Sequence, residues 1–241
     1  LLKPTGFNRG IGIHIFQNFD QLRDIMCANY GIGRGARDKA SIFQQHNHNH
    51  NPNSNAAGAN ADPNGEKPER MKNFTFVVQK LVERPMLYFR RKFDIRQWVL
   101  LNASDGKVYI YRESYVRTSS KEYAAYDPGV PEEDQIYMQL TNNAVQKVGV
   151  DYGKYEEGNI VSVHTLFEYI AQQPQGGGNS KQALEDKYKR DIEKIIAETI
   201  RSVKGQIAFQ KHTFELLGYD FILDEDLNTI LIEVNTNPCL E

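Results

Sequence analysis

"RRKFDIRQW", residues 90–98, sets four cationic side chains and one carboxylate into nine positions and ends on the only tryptophan of the chain. Read as a strand, it places alternate side chains on opposite faces. Phe93 and Ile95 then share one face and Lys92, Asp94 and Arg96 the other. The apolar pair needs a core. The charged trio needs water or something anionic, with Asp94 held between its two cationic neighbours and its pKa expected low.

The surrounding sequence extends this reading. "FTFVVQKLV" (74–82), "FDIRQWVLLN" (93–102) and "KVYIYRESYVRTS" (107–119) are strand-like, the last following a Ser104-Asp105-Gly106 turn. Residues 1–16 read as a strand ending at Pro4, a glycine turn and a strand over Ile11–Phe16, and residues 19–30 as a short helix. Residues 119–138 read as loop-rich, "TLFEYIAQQ" (165–173) as helix and "PQGGGNS" (174–180) as a flexible break. Beyond the N-cap candidate Ser180, Leu184, Tyr188, Ile192, Ile195, Ile196, Ile200 and Val203 recur at spacings of three and four, the pattern of a long amphipathic helix facing a core. "GYDFILDEDLNTILIEVN" (218–235) reads as a β-hairpin. The fold class is α+β, with mostly antiparallel sheets and packed helices.

Composition narrows the function classes. The chain has 241 residues and a formal net charge of −2, so no global field favours nucleic acid. No apolar run approaches the ~18–20 residues that cross a bilayer, so no membrane partner is expected. The opening LLKPTGFNRG lacks the form of a signal peptide, and the missing initiator Met leads us to expect a fragment of a longer protein. Two cysteines, Cys27 and Cys239, make no disulfide framework, and a reducing intracellular setting is the default. Residues 44–70 are rich in Asn, Ala, Gly and Pro and carry almost no apolar bulk, which predicts a disordered insertion. His46, His48 and His50 within it read as low complexity, since no fixed geometry would gather the rings.

The chemistry-bearing residues come in three groups. Glu233 and Asn235 lie two apart on one strand, and a turn at 225–228 would set Asp220 opposite Glu233, so three oxygen donors share a face suited to Mg²⁺. Ile230, Ile232 and Val234 should then turn to the core. Asp224, Asp226 and Asn228 imitate the start of an EF-hand loop, but Thr229 and Asn235 stand where that loop needs Gly and Glu, so they read as turn residues. Near the N-terminus, Lys3 precedes "GFNRGIGI", where Gly10 and Gly12 would let backbone amides approach a phosphate. Neither a GxxxxGK(S/T) P-loop nor a GxGxxG fingerprint occurs. Dispersed cations at Lys92, Arg96 and Arg117, a polar turn at Thr141-Asn142, the glycine loop and the metal face together read as a nucleoside triphosphate site built from separate strands. Solvated ion pairs and an ordinary glycine turn are the competing readings of the individual parts. Trp98 is assigned to the core.

Taken in order, "LKP…RGIGI", "VVQKLV", "RKFDIRQWVLL", "YRESYVRTSS", "LTNNAVQK" and "FELLGYDFILDEDLNTILIEVNTNP" resemble the tubulin tyrosine ligase-like family of ATP-grasp enzymes over residues 1–241, as a partial catalytic domain interrupted by the insertion. The resemblance implies an ATP-grasp-like fold with nucleotide between two subdomains, and ATP and Mg²⁺ as cofactors. It implies an ATP-dependent ligase that activates a glutamate carboxylate of tubulin as an acyl phosphate and joins it to an amino acid. Carried over, Lys3 and the Arg9, Gly10 and Gly12 loop meet the phosphates, Gln79, Lys80 and Val82 line the adenine, and Thr141 and Asn142 contact the nucleotide. Lys92, Asp94, Arg96 and Arg117 face the phosphates and reacting groups, and Asp220, Glu233 and Asn235 hold Mg²⁺. "RQW", "RESYVR" and "LTNNAVQK" resemble the glycine-adding branch more than the glutamate-adding one. Expected partners are the acidic tubulin tails, microtubules and a free amino acid, for a monomer in the cytoplasm, on the cytoskeleton and at the cilium, axoneme or basal body. A generic ATP-grasp ligase would share the ATP site. A tubulin-binding pseudoenzyme is the non-enzyme alternative, disfavoured because Lys92, Arg96, Asp220, Glu233 and Asn235 all remain.

Overall fold

The computed structural model describes residues 1–5, 10, 12–32, 75–127, 129–207, 210–236 and 238. The insertion, its histidines, Arg9, Ile11 and Cys239 lie outside the described residues. The chain divides into two compact units, Leu1–Leu81 and Val82–Glu241.

In the first unit, β1 (Leu2–Pro4) pairs antiparallel with β2 (Phe76–Val78). Helix α1 (Phe19–Tyr30) starts at Asn18, whose side chain accepts from the Gln21 amide, and stops at Gly31, whose φ of 64° is the left-handed cap. Leu2 is buried, and the Tyr30 ring meets Phe76 edge-on at 4.8 Å. The strand expected over Ile11–Phe16 is reduced to one bridge, His14 with Leu2. Its partner strand is three residues long, and Leu2 already pairs with Val78 on its other side. The 74–82 strand shrinks likewise to β2.

In the second unit, β3 (Leu87–Tyr88), β4 (Arg91–Asn102), β5 (Lys107–Glu122), β6 (Ile160–Ser162), β7 (Phe214–Leu223) and β8 (Thr229–Thr236) form one antiparallel sheet in the order β6-β5-β4-β7-β8, with β3 hairpinned onto β4. Helices α2 (Glu132–Gln139) and α3 (Asn143–Gln146) precede β6. Helices α4 (Val163–Ala171) and α5 (Lys181–Val203) follow it, each opened by a serine cap, Ser162 and Ser180. The apolar face of β4 packs with both: Phe93, Ile95 and Val99 share a core with Leu166, Phe167 and Ile170 of α4 and Leu184, Tyr188, Ile192 and Ile196 of α5. Each such side chain contributes about 1.5–3 kcal/mol by leaving water. The mixed α+β class with antiparallel pairing therefore holds, and the long helix spans the residues its spacing predicted.

Three expectations need correction. Residues 119–138 are not loop throughout: β5 runs to Glu122 and α2 begins at Glu132. Pro131 followed by Glu132, Glu133 and Asp134 is an acidic first turn that stabilises a helix N-terminus, a signal present in the sequence. The "PQGGGNS" break contains a 3-10 turn at Pro174–Gly176, where Gly176 is buried so closely that a Cβ would lie 2.4 Å from the Ile170 carbonyl oxygen. The third concerns β8. A bulge after the Asp220–Glu233 pair brings Leu231 opposite Phe221 and Ile230 opposite Ile222. Leu231 therefore packs on the core, and Ile230 shares the face of Ile222 instead.

Candidate active site

The other face of β4 collects the charges. Lys92, Asp94 and Arg96 are all buried, so the trio does not face water. Arg117 of β5 lies directly across from Asp94, and Asp220 of β7 directly across from Arg96. Arg117 donates through Nε to Asp94 Oδ1 at 2.9 Å, and its Nη2 pairs with both Asp94 and Asp220, the latter at 2.9 Å. Arg96 holds Asp220 through Nε and through Nη2, the second at 3.2 Å. Asn235 of β8 donates its amide to Asp220 Oδ2 at 3.1 Å, and Glu233 is the register partner of Asp220. The strands thus set four acids and bases into one continuous network, with the amide of Asn235 at its edge.

The partner of Asp94 differs from the expected one. Residues two apart on a strand are nearly 7 Å apart, whereas cross-strand neighbours stand about 5 Å apart. Arg117 therefore takes the pair that sequence adjacency assigned to Lys92 and Arg96. Burial pushes the Asp94 carboxyl up from its ordinary value, against the pull of Arg117 and a hydrogen bond from Thr141. Burial would raise Asp220 too, but the guanidiniums of Arg117 and Arg96 outweigh it and hold that carboxyl low. The two acids hold Arg117 charged, above its ordinary range, despite burial.

Neighbouring residues complete the site. Lys92 Nζ donates to Gln139 Oε1 at 3.4 Å and lies 6.0 Å from the Tyr123 ring. Thr141 is buried beside Asp94, whereas Asn142 heads the short helix α3 with a side chain that does not cap it. Trp98 is not a core residue. It is half-buried on the charged face, with the Arg96 guanidinium 5.6 Å from its ring centroid, close enough for cation–π attraction. Gly218 lies opposite Trp98, and a Cβ there would come within 3.3 Å of Arg96 Cδ and Nε. Gln97 caps the β4–β5 bulge, donating to the Tyr111 carbonyl at 2.7 Å. Arg91 is sealed beneath Tyr155 and paired with Glu156, which anchors the 150–159 loop to β4. Nothing local in the sequence marks Gln139, Trp98 or Glu156, because each meets its partner only after the strands pair or the loop folds back.

Burying three cations and two carboxylates costs several kcal/mol per ion, and an apolar layer would serve stability as well or better. A network of this kind is accordingly a functional-site candidate. Its donors suit an anion: guanidinium forks match phosphate oxygens, and Lys92 adds a point charge. Its acids suit a hard cation. Glu233, Asn235 and Asp220 form an oxygen set of two carboxylates and an amide, which fits a Mg²⁺ that completes its shell with water and phosphate. Asp220 is itself engaged by two arginines and by the Asn235 amide. Among the described residues no group of three or more His, Cys, Asp or Glu side chains is placed to hold a metal ion. The Asp224 carboxylate is spent on its own turn, accepting from the amides of Asp226 and Asn228 at 3.0 and 2.8 Å.

Of the remaining candidates, Lys3, Gly10, Gly12, Gln79 and Lys80 belong to the first unit and Val82 to the second. Gly10 and Gly12 take φ of 78° and 72°, the left-handed backbone their residue type permits, and Tyr30 donates to the Gly12 carbonyl at 3.0 Å. The Gln79 backbone amide donates to the Leu1 carbonyl at 2.9 Å, which fixes the segment leading into Lys80.

Comparison with known proteins converges on one family. A model of the tubulin-tyrosine ligase family matches residues 1–241. The probable tubulin polyglutamylase TTLL9 of Rattus norvegicus is 30% identical over 249 residues, covering 100% of this chain and 48% of its own. Tubulin glycylase 3B of Tetrahymena thermophila is 26% identical over 242 residues, covering 100% of this chain and 16% of its own. Tubulin glycylase 3B of Drosophila melanogaster is 34% identical over 174 residues, covering 70% of this chain and 22% of its own. The chain spans about half the length of the first of these relatives and less of the others. With a match that runs from its first residue to its last, the chain belongs to the tubulin-tyrosine ligase family.

Proposed function

We propose that this chain carries the catalytic centre of an ATP-dependent, ATP-grasp-like ligase that joins an amino acid, glycine first, to glutamate carboxylates in the acidic tails of tubulin. The observation that carries this reading is the buried pairing of Arg96 and Arg117 with Asp94 and Asp220 on the strands that also bear Lys92, Glu233 and Asn235. In the reaction, a glutamate oxygen attacks the γ-phosphorus of ATP, ADP leaves, and an acyl phosphate forms. The amino nitrogen of the incoming amino acid then attacks the acyl carbon, the carbon–oxygen bond to phosphate breaks, and inorganic phosphate leaves as the nitrogen loses its proton.

This chain's residues supply positioning and charge. Lys92, Arg96 and Arg117 donate to phosphate oxygens as negative charge develops, a contribution worth roughly 3–4 kcal/mol for each lost donor in comparable sites. Asp94 orients Arg117, and Thr141 orients Asp94. Lys3, Arg9, Gly10 and Gly12 serve the phosphates, and Gln79, Lys80, Val82, Thr141 and Asn142 the rest of the nucleotide. Asp220, Glu233 and Asn235 would hold Mg²⁺, which supplies charge neutralisation between phosphates and carboxylate. No covalent nucleophile is needed.

Glycine is favoured by "RQW", "RESYVR" and "LTNNAVQK". Glutamate is the second reading, favoured by 30% identity to a probable polyglutamylase across the whole chain. The test offers labelled glycine, glutamate and tyrosine in parallel to the intact protein with tubulin and Mg-ATP, with Glu233→Gln as control. Labelling by glycine alone supports the first reading and labelling by glutamate alone the second. Incorporation undiminished by Glu233→Gln sinks the metal assignment. A cytoplasmic, microtubule-bound monomer at cilia or basal bodies is the setting this function calls for, and imaging of the tagged protein against a ciliary marker checks it.

A further inference from the structure

We propose that Asp220 is a built-in competitor for phosphate: its carboxylate sits in the anion seat formed by Arg96 and Arg117 and must be drawn off before that seat can hold a phosphoryl group. This rests on the reading of the site as a triphosphate site and adds a rule for how it loads. Asp220 is 1% exposed, and its two oxygens accept from Arg96 Nε, Arg96 Nη2, Arg117 Nη2 and Asn235 Nδ2. Three of these donors fall on Oδ2 and one on Oδ1, so both oxygens of the carboxylate are engaged. One edge of each guanidinium is committed: Arg117 spends Nε on Asp94 and Nη2 on both acids, and Arg96 spends Nε and Nη2 on Asp220. A phosphate approaching Arg96 and Arg117 therefore meets guanidiniums already neutralised, and it would sit against a buried carboxylate of like charge.

Glu215 makes a natural control, since it carries the same charge on the same strand, is exposed and lies outside the site. A divalent cation beside Glu233 and Asn235 gives the Asp220 carboxylate a second claimant and leaves the arginines to the incoming anion. Cation and phosphate should each bind better in the presence of the other, and Asp220 is the residue through which they are linked.

The test is calorimetric titration of pyrophosphate into the intact protein in EDTA and in Mg²⁺, for wild type, Asp220→Asn and Glu215→Gln. The amide of Asp220→Asn preserves shape and lowers the competing charge, so pyrophosphate in EDTA should bind about tenfold tighter than to wild type, as expected when a binding-competent state rises from a minor to a major population. Glu215→Gln should stay within about threefold of wild type. Equal gains in both variants would reduce the effect to net charge and overturn the proposal. Should Asp220→Asn fail to fold, the guanidinium Nε–H resonances of wild type carry the test. Pyrophosphate should shift that of Arg96 only when Mg²⁺ is also present, and an equal shift in EDTA would overturn the proposal. Failure of wild type to bind Mg-ATP would instead defeat the ligase reading, while a gain in Asp220→Asn alone would still stand for the anion seat.

Discussion

Arg117 and Asp220 form an ion pair, Nη2 to Oδ2 at 2.9 Å, although their strands are not neighbours: β4 runs between them. Two strand spacings amount to nearly 10 Å. Only a long side chain lying across the intervening strand closes that gap, and Arg117 does so while also holding Asp94. Removing Arg117 therefore takes the cation from buried Asp94 and leaves buried Asp220 to Arg96 and Asn235. Arg117→Ala should lower unfolding stability by about 3–5 kcal/mol, the cost typical of breaking a buried pair from one side. Arg117→Lys should recover only part, because an ammonium lacks the planar fork that reaches two carboxylates at once. Urea unfolding measures both, and a loss below about 1 kcal/mol for alanine would mean that the network relaxes freely.

The two carboxylates should leave opposite marks on stability against pH. Asp220 sits below its ordinary value of 3.8, so the unfolded chain binds more protons there and the stabilisation from Asp220 is lost as pH falls through the folded pKa. Asp94 is raised above 3.8, so its contribution declines as pH climbs through the folded value. Subtracting the stability curve of Asp220→Asn from that of wild type should leave a difference that grows with pH below 3.8. The same subtraction with Asp94→Asn should leave one that shrinks with pH above 3.8. Denaturant midpoints across the acid range give both, and slopes of like sign would refute the assignment.

The β3–β4 hairpin turns on Phe89 and Arg90, both at positive φ, 45° and 64°. Such a two-residue turn favours Asn-Gly, and a side chain in the left-handed region costs about 1–2 kcal/mol. Arg90 pairs with Glu122, but both are exposed, and surface pairs contribute about 0–1 kcal/mol. Arg90→Gly should therefore stabilise by up to about 1 kcal/mol, read as a higher denaturant midpoint at unchanged slope. Phe89 is the poorer choice, since its ring meets Tyr169 at 4.5 Å.

Gly218 tests how tightly Arg96 is seated. A methyl group there would stand 2.9 Å from Pro238 Cβ and 3.3 Å from Arg96 Nε, so something must move. Gly218→Ala should destabilise by about 1–3 kcal/mol, in line with overpacking elsewhere, and should weaken Mg-ATP binding if Arg96 is the part that yields. Unchanged stability and unchanged affinity together would show that Pro238 moves aside at little cost.

Strand and helix periods make much of this protein legible in its sequence. The face of Phe93 and Ile95, the stripe from Leu184 to Ile196 and the Ser180 cap are local patterns, and local sterics settle them wherever the segment finds a partner. The hairpin was readable for the same reason, and so was the Asp220–Glu233 pairing, because a short turn fixes register. Tertiary structure alone decided which charges meet. Sequence adjacency assigned Asp94 to Lys92 and Arg96, but distance across the pleat favours Arg117, 23 residues away. The β8 bulge exchanged Ile230 for Leu231 at the core, and half-burial placed Trp98 beside Arg96 instead of inside. Periodicity reports the face on which a side chain stands. Ion pairing in a dry site depends on a few ångströms of separation between strands, and those distances exist only once the sheet has assembled.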